Sequence, residues 1–544
     1  MTGLPSERVE GSALLSVVRN SARDGDAAAI GEALRRLGDA GLAPGRWLEA
    51  AEAVEPAMTR LSPRADAVER TPWLEAVADR WRAVFGSWYE MFPRSQGTVP
   101  GKASTLREAE SRLPQIARLG FDVLYLPPVS PIGVTKRKGR NASLTAGPND
   151  PGSPWGIGSS AGGHDAVEPA LGTMADFDHF VAACRANGLE IALDIALQCS
   201  PDHPWVKAHP DWFYRRPDGT IRFAENPPKK YEDIYPLNFD TPDWKALWTE
   251  IRRVFQHWID HGVRIFRVDN PHTKPQSFWR WLISDIQGKH PDVFFLAEAF
   301  TRPPMMRHLA KIGFTQSYTY FTWRNTKQEL IDYVQELAHP DAREFYRPNF
   351  FANTPDILPI GLVHGGRPAF MIRLILAGTL SPSYGIYSGF ELCENAWIKH
   401  QSFANDVEYK DSEKFEIKVR DWNTLGNIND LVSKVNGIRR ENPALQSFAN
   451  IRFLESNNDQ ILVYAKANPD RSNVLLVAVN LDPHHTQEAT VRVPPDVSGA
   501  GPGARYEVRD LLTGAVYAWS EQNYIRLNPH VLPAHILRIE RRNV

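Results

Sequence analysis

The chain has 544 residues, more than one hydrophobic core usually organises, so two to three domains are expected. Its 62 basic and 64 acidic side chains nearly cancel, which excludes the basic face a nucleic-acid binder needs and leaves neutral small molecules or carbohydrates as better-matched partners. Cys184, Cys199 and Cys393 are too few, and wrongly spaced, for a disulfide framework or a zinc site.

In chain order, the opening stretch MTGLPSERVEGSALLSVVRN lacks a basic segment followed by an unbroken apolar run, and no later run reads as membrane-spanning. A cytoplasmic protein with no membrane attachment is the expectation. Residues 1–85 read as a helical region, through AAAIGEALRRLGDAG and then TPWLEAVADRWRAVFG, where Thr71 caps, Pro72 starts the helix and Trp73, Val77 and Trp81 share a face.

From GSWYEMFP the pattern changes to short apolar runs separated by helical stretches such as DWKALWTEIRRVFQHWIDHG, the signature of βα repeats and a parallel sheet. The other strand candidates are DVLYLPPV, EIALDIAL, RIFRVDN, VFFLAEAF, QSYTYF, PNFFANTPD and SPSYGIYSG. Eight strands over residues 86–445 predict an α/β fold, a closed (β/α)8 TIM barrel with loop insertions at 130–175 and 199–242. Over residues 446–544 alternating runs such as QILVYAKA, NVLLVAVNL and NYIRL predict a C-terminal antiparallel β-sandwich with no assigned chemistry.

Three carboxylates, Asp269, Glu298 and Asp356, close three of the predicted barrel strands, where side chains reach one catalytic face. Breaking a bond at an anomeric carbon needs a nucleophilic carboxylate and an acid near the leaving oxygen, and Asp269 and Glu298 are the candidate pair. Arg267 stands two residues before Asp269, hence on the same strand face, and can hold the aspartate ionised. Glu298 follows the apolar FFLA, whose desolvation would raise its pKa toward that of a working acid. Asp356 is assigned to the ring hydroxyls. A covalent intermediate predicts retention of anomeric configuration. Strand-end acids also cap helices or pair with arginine, and for any one of them alone that bland reading is as good.

RIFRVDN, FLAEAF and FFANTPD, with LDIALQ before them, resemble the ordered motifs of the α-amylase superfamily, glycoside hydrolase family 13. The resemblance implies the barrel, a loop domain after the third strand, the C-terminal sandwich, and Asp269, Glu298 and Asp356 as nucleophile, acid/base and third carboxylate. The chain departs from a typical amylase at Gln198, Cys199 and Pro355, and the loss of the amylase asparagine at 198 removes a calcium ligand, so neither a metal nor a cofactor is expected. ALQCSPDHPW, RKGRNASLTAGPNDPGSPW, AENPPKKYEDIYPLNFD and YKDSEKFE resemble the subfamily of maltosyltransferases that extend α-1,4-glucans from α-maltose 1-phosphate. That resemblance implies a donor site at Lys138, Gln198, Asp233, Asn270 and Lys414, with Asn226, Lys229 and Tyr231 nearby, in which the lysines attract phosphate. It implies a sugar 1-phosphate donor and an α-glucan or oligosaccharide acceptor. Phe415 stands where that subfamily usually has tyrosine, and its usual N-terminal β-sandwich does not match the helical opening here. A homodimer through the N-terminal helices, and packing of those helices on the barrel, are both open. So are two other readings, an α-glucan hydrolase or transglycosylase with a different donor, and a non-catalytic carbohydrate-binding relative.

Overall fold

Eight short strands, each ending in a polar residue or turn, hydrogen-bond side by side in a computed structural model that describes residues 4–62, 77–226, 229–399, 407–501 and 503–540. They are β1 Gly86–Glu90, β2 Val123–Leu126, β3 Glu190–Ile195, β4 Ile265–Asp269, β5 Phe294–Glu298, β6 Gln316–Ser317, β7 Asn349–Phe351 and β8 Ser383–Tyr387. The sheet order is β6-β5-β4-β3-β2-β1-β8-β7, with every pairing parallel. A parallel bridge from Ser317 to Pro348 joins the two ends, so the sheet closes into a barrel. Helices fill the crossovers. In Trp244–Asp260, Leu247, Ile251, Val254, Phe255 and Trp258 recur at helical spacing and are buried. Met174–Ala186 starts at a capping box between Thr173 and Asp176.

The C-terminal region forms a six-stranded antiparallel sheet, faced by the pair Gln487–Arg492 and Gln522–Leu527 over a core that includes Ile461, Leu476, Val491, Ile525 and Leu537. It docks on helix Ile360–Leu380, where Tyr464 and Thr379 share a hydroxyl contact of 2.5 Å and Lys466 donates to Leu380 O at 3.3 Å. That helix is long and apolar enough to cross a membrane, but 67% of the stretch is buried inside the protein, which marks a core helix.

The chain divides into two compact units, residues 1–78 and 79–544. In the first, helices Leu4–Arg19, Asp24–Gly38 and Pro44–Leu61 pack around Leu15, Val18, Ile30, Leu37 and Val54. The expected helix over TPWLEAVADRWRAVFG fails in its second half: its first turn, with Thr71, Pro72 and Trp73, lies outside the described residues. Residues 77–80 have no regular structure, Trp81–Ala83 is a single 3-10 turn, and Val77 and Trp81 are exposed. Arg80 and Arg82 both bind Glu190 at the foot of β3, and Arg82 reaches Asp122 at 3.1 Å, so ion pairing to the barrel floor overrides helical periodicity.

Candidate active site

Alternate residues of a barrel strand face the interior. Trp88, Tyr125, Ala192, Ile265, Phe294, Leu296 and Phe351 fill that interior as one buried cluster. Two residues further along their strands come Glu90, Asp194, Arg267 and Glu298, with Asp269 two beyond Arg267. The apolar filling therefore ends in a charged layer at the carboxyl ends of the strands, where a barrel builds its site.

Arg267 organises this layer. Its Nη1 donates to Asp194 Oδ2 at 2.9 Å and to Asp269 Oδ1 at 3.0 Å, while Nη2 lies 2.8 Å from Glu298 Oε1. Asp269 and Glu298 are direct partners in the β4·β5 register, so the two candidate reacting groups stand side by side. Asp194 also accepts from Tyr125 OH at 2.6 Å and from Trp155 Nε1 at 3.2 Å, which locks the far side of the guanidinium. Asn270, in the left-handed region at φ 42°, a conformation that asparagine tolerates better than most residues, turns its N–H toward Glu298 Oε2 at 3.4 Å and its Nδ2 toward Asp269 Oδ2 at 3.3 Å.

One guanidinium thus serves several buried acids. Burial pushes Glu298 well above the usual carboxylate range against the pull of Arg267, and Asp269 and Asp356 add to the rise. Asp194 is pushed up to about 7 by burial, again against Arg267. The direction of the shift favours the protonated form that a general acid needs.

Asp356 follows β7 and stands at the edge of this group, its carboxylate paired with Lys414. Burial works against the Lys414 charge, but Asp356 and Glu408 outweigh it and hold the ammonium above its usual range. Lys414 is delivered by its neighbour Glu413, which Arg420 grips at 2.9 Å. The Phe415 ring lies under the Lys414 ammonium at 5.3 Å, so the position offers a cation–π face rather than a hydroxyl. Tyr231 comes within electrostatic range of Lys414 from the hairpin Ala224–Asn226 and Lys229–Tyr231. The side chains of Asn226 and Lys229 lie outside the described residues.

Lys138 is 5% exposed and its ammonium pairs with Glu232. The loop brings this acid onto the lysine expected to attract phosphate. Asp233, next along, is buried, burial pushes its carboxyl up to about 6, and its Oδ1 has no partner. Gln198 donates to Trp155 O at 3.3 Å. Both can meet sugar hydroxyls.

Three residues escaped the sequence reading. Asp194 stood in the quoted LDIALQ without a role. Lys274 donates to Asn270 O at 3.3 Å and senses the charges of Asp269 and Glu298. Glu90 is 1% exposed, has Oε2 without a partner, and is held well above the carboxylate range chiefly by burial. The rule that selected Asp269 and Glu298, an acid closing an apolar strand, would have found Glu90 in GSWYEMFP. A buried acid that keeps its proton loses stability as pH rises from its unfolded pKa toward its folded one, by about 1.4 kcal/mol per pH unit. Glu90→Gln is expected to flatten the fall of Tm between pH 5 and 8, measured by thermal melts, and an unchanged slope would show that Glu90 is ionised.

His164, Cys199 and His203 bring their ligand atoms within 4.8 Å of one another. His164 Nε2 donates to Ala196 O at 2.9 Å, so its Nδ1 accepts from His203 Nε2 at 3.0 Å, and His203 Nδ1 accepts the Trp205 N–H at 3.0 Å. Burial lowers His164 to about 4 and His203 to about 2. Two neutral rings in a complete hydrogen-bond chain make a strut between loops, and a metal would have to break it.

Residues 453–539 match the family model described as "GLGE, C-terminal". The chain is 56% identical over 483 residues to alpha-1,4-glucan:maltose-1-phosphate maltosyltransferase 2 of Streptomyces coelicolor, covering 88% of this chain and 71% of that one. It is 54% identical over 489 residues to the alpha-1,4-glucan:maltose-1-phosphate maltosyltransferase of Rhodospirillum rubrum, covering 90% and 70%. In fold it is similar to the α-amylase of Geobacillus thermoleovorans solved with acarbose, with a TM-score of 0.66 at 17% identity over 85% of this chain and 99% of that one. The maltogenic α-amylase AmyB of Thermotoga neapolitana also gives 0.66 at 17% identity, over 85% and 100%.

Proposed function

The chain belongs to the α-1,4-glucan:maltose-1-phosphate maltosyltransferase family of the α-amylase superfamily, and on that premise we propose that it transfers maltosyl units from α-maltose 1-phosphate to the non-reducing end of an α-1,4-glucan, with retention. Asp269 attacks the anomeric carbon, the bond from that carbon to the phosphate oxygen breaks, and phosphate leaves with a proton from Glu298. A maltosyl ester of Asp269 results. Glu298, now ionised, takes the proton of an acceptor hydroxyl, whose oxygen displaces Asp269 and restores the starting configuration.

The observation that carries this reading is the single guanidinium of Arg267 bonded to both Asp269 and Glu298 on directly paired strand ends. Asp356 with Lys414, and Asp233 with Gln198, supply acceptors and donors for the hydroxyls of the donor sugar. Asn270 bridges the reacting acids, and Lys138 and Lys274 are assigned to the phosphate end, where Tyr231 can offer a hydroxyl. A sugar phosphate does not cross membranes unaided, which supports a cytoplasmic location.

Incubation with α-maltose 1-phosphate, alone and with maltooligosaccharides, tests the reading. Phosphate release that requires acceptor, with products longer by two glucosyl units, is the expected result. Reducing ends formed from the glucan alone would replace it with hydrolysis. Because Glu298 acts protonated, kcat/KM for the donor is expected to fall as pH rises through its elevated pKa. Glu298→Gln should lower kcat by roughly 10²- to 10⁴-fold and abolish that alkaline limb. A limb that survives in the variant would assign the proton to another group.

A further inference from the structure

Two acids face the Lys414 ammonium, of which the donor site uses one. The lysine side chain is 10% exposed and pairs with Asp356. The second acid is Glu408, equally buried, whose Oε2 lies 3.9 Å from the same nitrogen. Glu408 belongs to a hairpin of Trp397–Lys399 and Val407–Tyr409. That hairpin is fixed to the barrel by Asn353, two residues past β7 and fully buried, which donates from Nδ2 to Tyr409 OH at 2.7 Å and accepts the Tyr387 N–H at 2.9 Å. Three residues after Glu408 the chain is locked again, because Asn141 Nδ2 donates to Asp411 Oδ1 at 3.0 Å and Asn141 Oδ1 accepts the Asp411 N–H at 2.7 Å. The hairpin thus holds Glu408 beside the ammonium independently of Asp356. The Asp356 side chain, by contrast, is 47% exposed at the mouth, with room to turn.

Asp356 is wanted in two places. A carboxylate tied to a buried ammonium has little charge left for ring hydroxyls or for an oxocarbenium-like centre, so the donor must draw it away. Drawing it away strands a buried cation unless another carboxylate takes over, and a buried ion pair that loses one partner is strongly destabilised. We propose that Glu408 is a positioning residue for the transfer, a standby counter-ion that receives the Lys414 ammonium when Asp356 turns to the donor. The travel is short, since closing from 3.9 Å to a charge-assisted hydrogen bond takes about 1 Å at the end of a flexible four-carbon stem. Burial opposes the Lys414 charge, and Asp356 and Glu408 together outweigh it, so both acids act as its counter-charge. The catalytic use of this hand-over rests on the maltosyltransferase reading; the sharing of the ammonium does not.

Urea unfolding of the full chain tests the sharing without any assay of activity. Glu408→Gln alone should move the midpoint little, because Asp356 still holds the ammonium, and Asp356→Asn alone should do the same, because Glu408 takes it. The double variant leaves Lys414 with neither acid, so its midpoint is expected to fall by more than the sum of the two single shifts. Additive shifts would overturn the hand-over. Kinetics with α-maltose 1-phosphate and a maltooligosaccharide acceptor test its use. Glu408→Gln should lower kcat/KM by roughly tenfold or more in the otherwise wild-type chain, where Asp356 stays on the ammonium, and by less than about twofold in Lys414→Met, where there is no ammonium to hand over. Equal losses in the two backgrounds, or no loss in either, would overturn the role of Glu408. A wild type that releases no phosphate from this donor would instead refute the maltosyltransferase reading, and the urea result would still decide the hand-over.

Discussion

Asp269→Ala is expected to cut maltosyl transfer by roughly 10⁴-fold or more, because without that carboxylate no ester can form and nothing else at the end of β4 can act as nucleophile. The fold should survive. Arg267 keeps Asp194 and Glu298 at 2.9 and 2.8 Å, and the substitution removes one acid from a group that has more acids than cations, so it relieves repulsion. Phosphate release in the presence of acceptor, with a thermal melt as control, gives both numbers. A fluorinated maltosyl donor that traps the ester should label residue 269 in the wild type and leave the variant unmodified. Phosphate release near the wild-type rate, or a label elsewhere, would remove Asp269 from the role.

Arg267→Met should damage activity and folding together. The guanidinium is 5% exposed and touches Asp194, Asp269 and Glu298, and removing one partner of a buried ion pair typically costs about 3–5 kcal/mol. Without the guanidinium, Asp194 and Glu298 respond by keeping their protons, so their folded pKa values rise further above the unfolded ones. Stability is then lost as pH increases between the two. Urea unfolding is expected to show a larger deficit at pH 8 than at pH 5. Adding Asp194→Asn should recover part of the stability and none of the activity, since the reacting pair still lacks its shared cation. Wild-type stability of Arg267→Met at pH 8 would contradict the arrangement.

The barrel was legible because each strand is a short apolar run ending in a break, and the sandwich because its runs alternate. The placement of Asp269 and Glu298 followed from the two-residue period of a strand, which also puts Arg267 on their face. Glu90 obeys the same rule in β1 and was passed over because GSWYEMFP lies outside the motifs that carry the family resemblance. The helix expected to continue to residue 85 was misread because periodicity in WLEAVADRWRAVF is a local signal. Arg80 and Arg82 answer instead to Glu190, more than a hundred residues away.

By itself the sequence determined the strand faces, and with them that Asp269 and Glu298 share the carboxyl-end rim of the barrel, because the direction of a side chain along a strand depends only on its neighbours. The tertiary structure alone decided the partners: Arg267 reaching Asp194 and Glu298, Asp356 taken by Lys414, and Lys138 taken by Glu232. Those pairs span tens of residues and are formed by loop closure and strand order, long-range events whose energy comes from charges meeting in a desolvated mouth and leaves no mark on any local pattern.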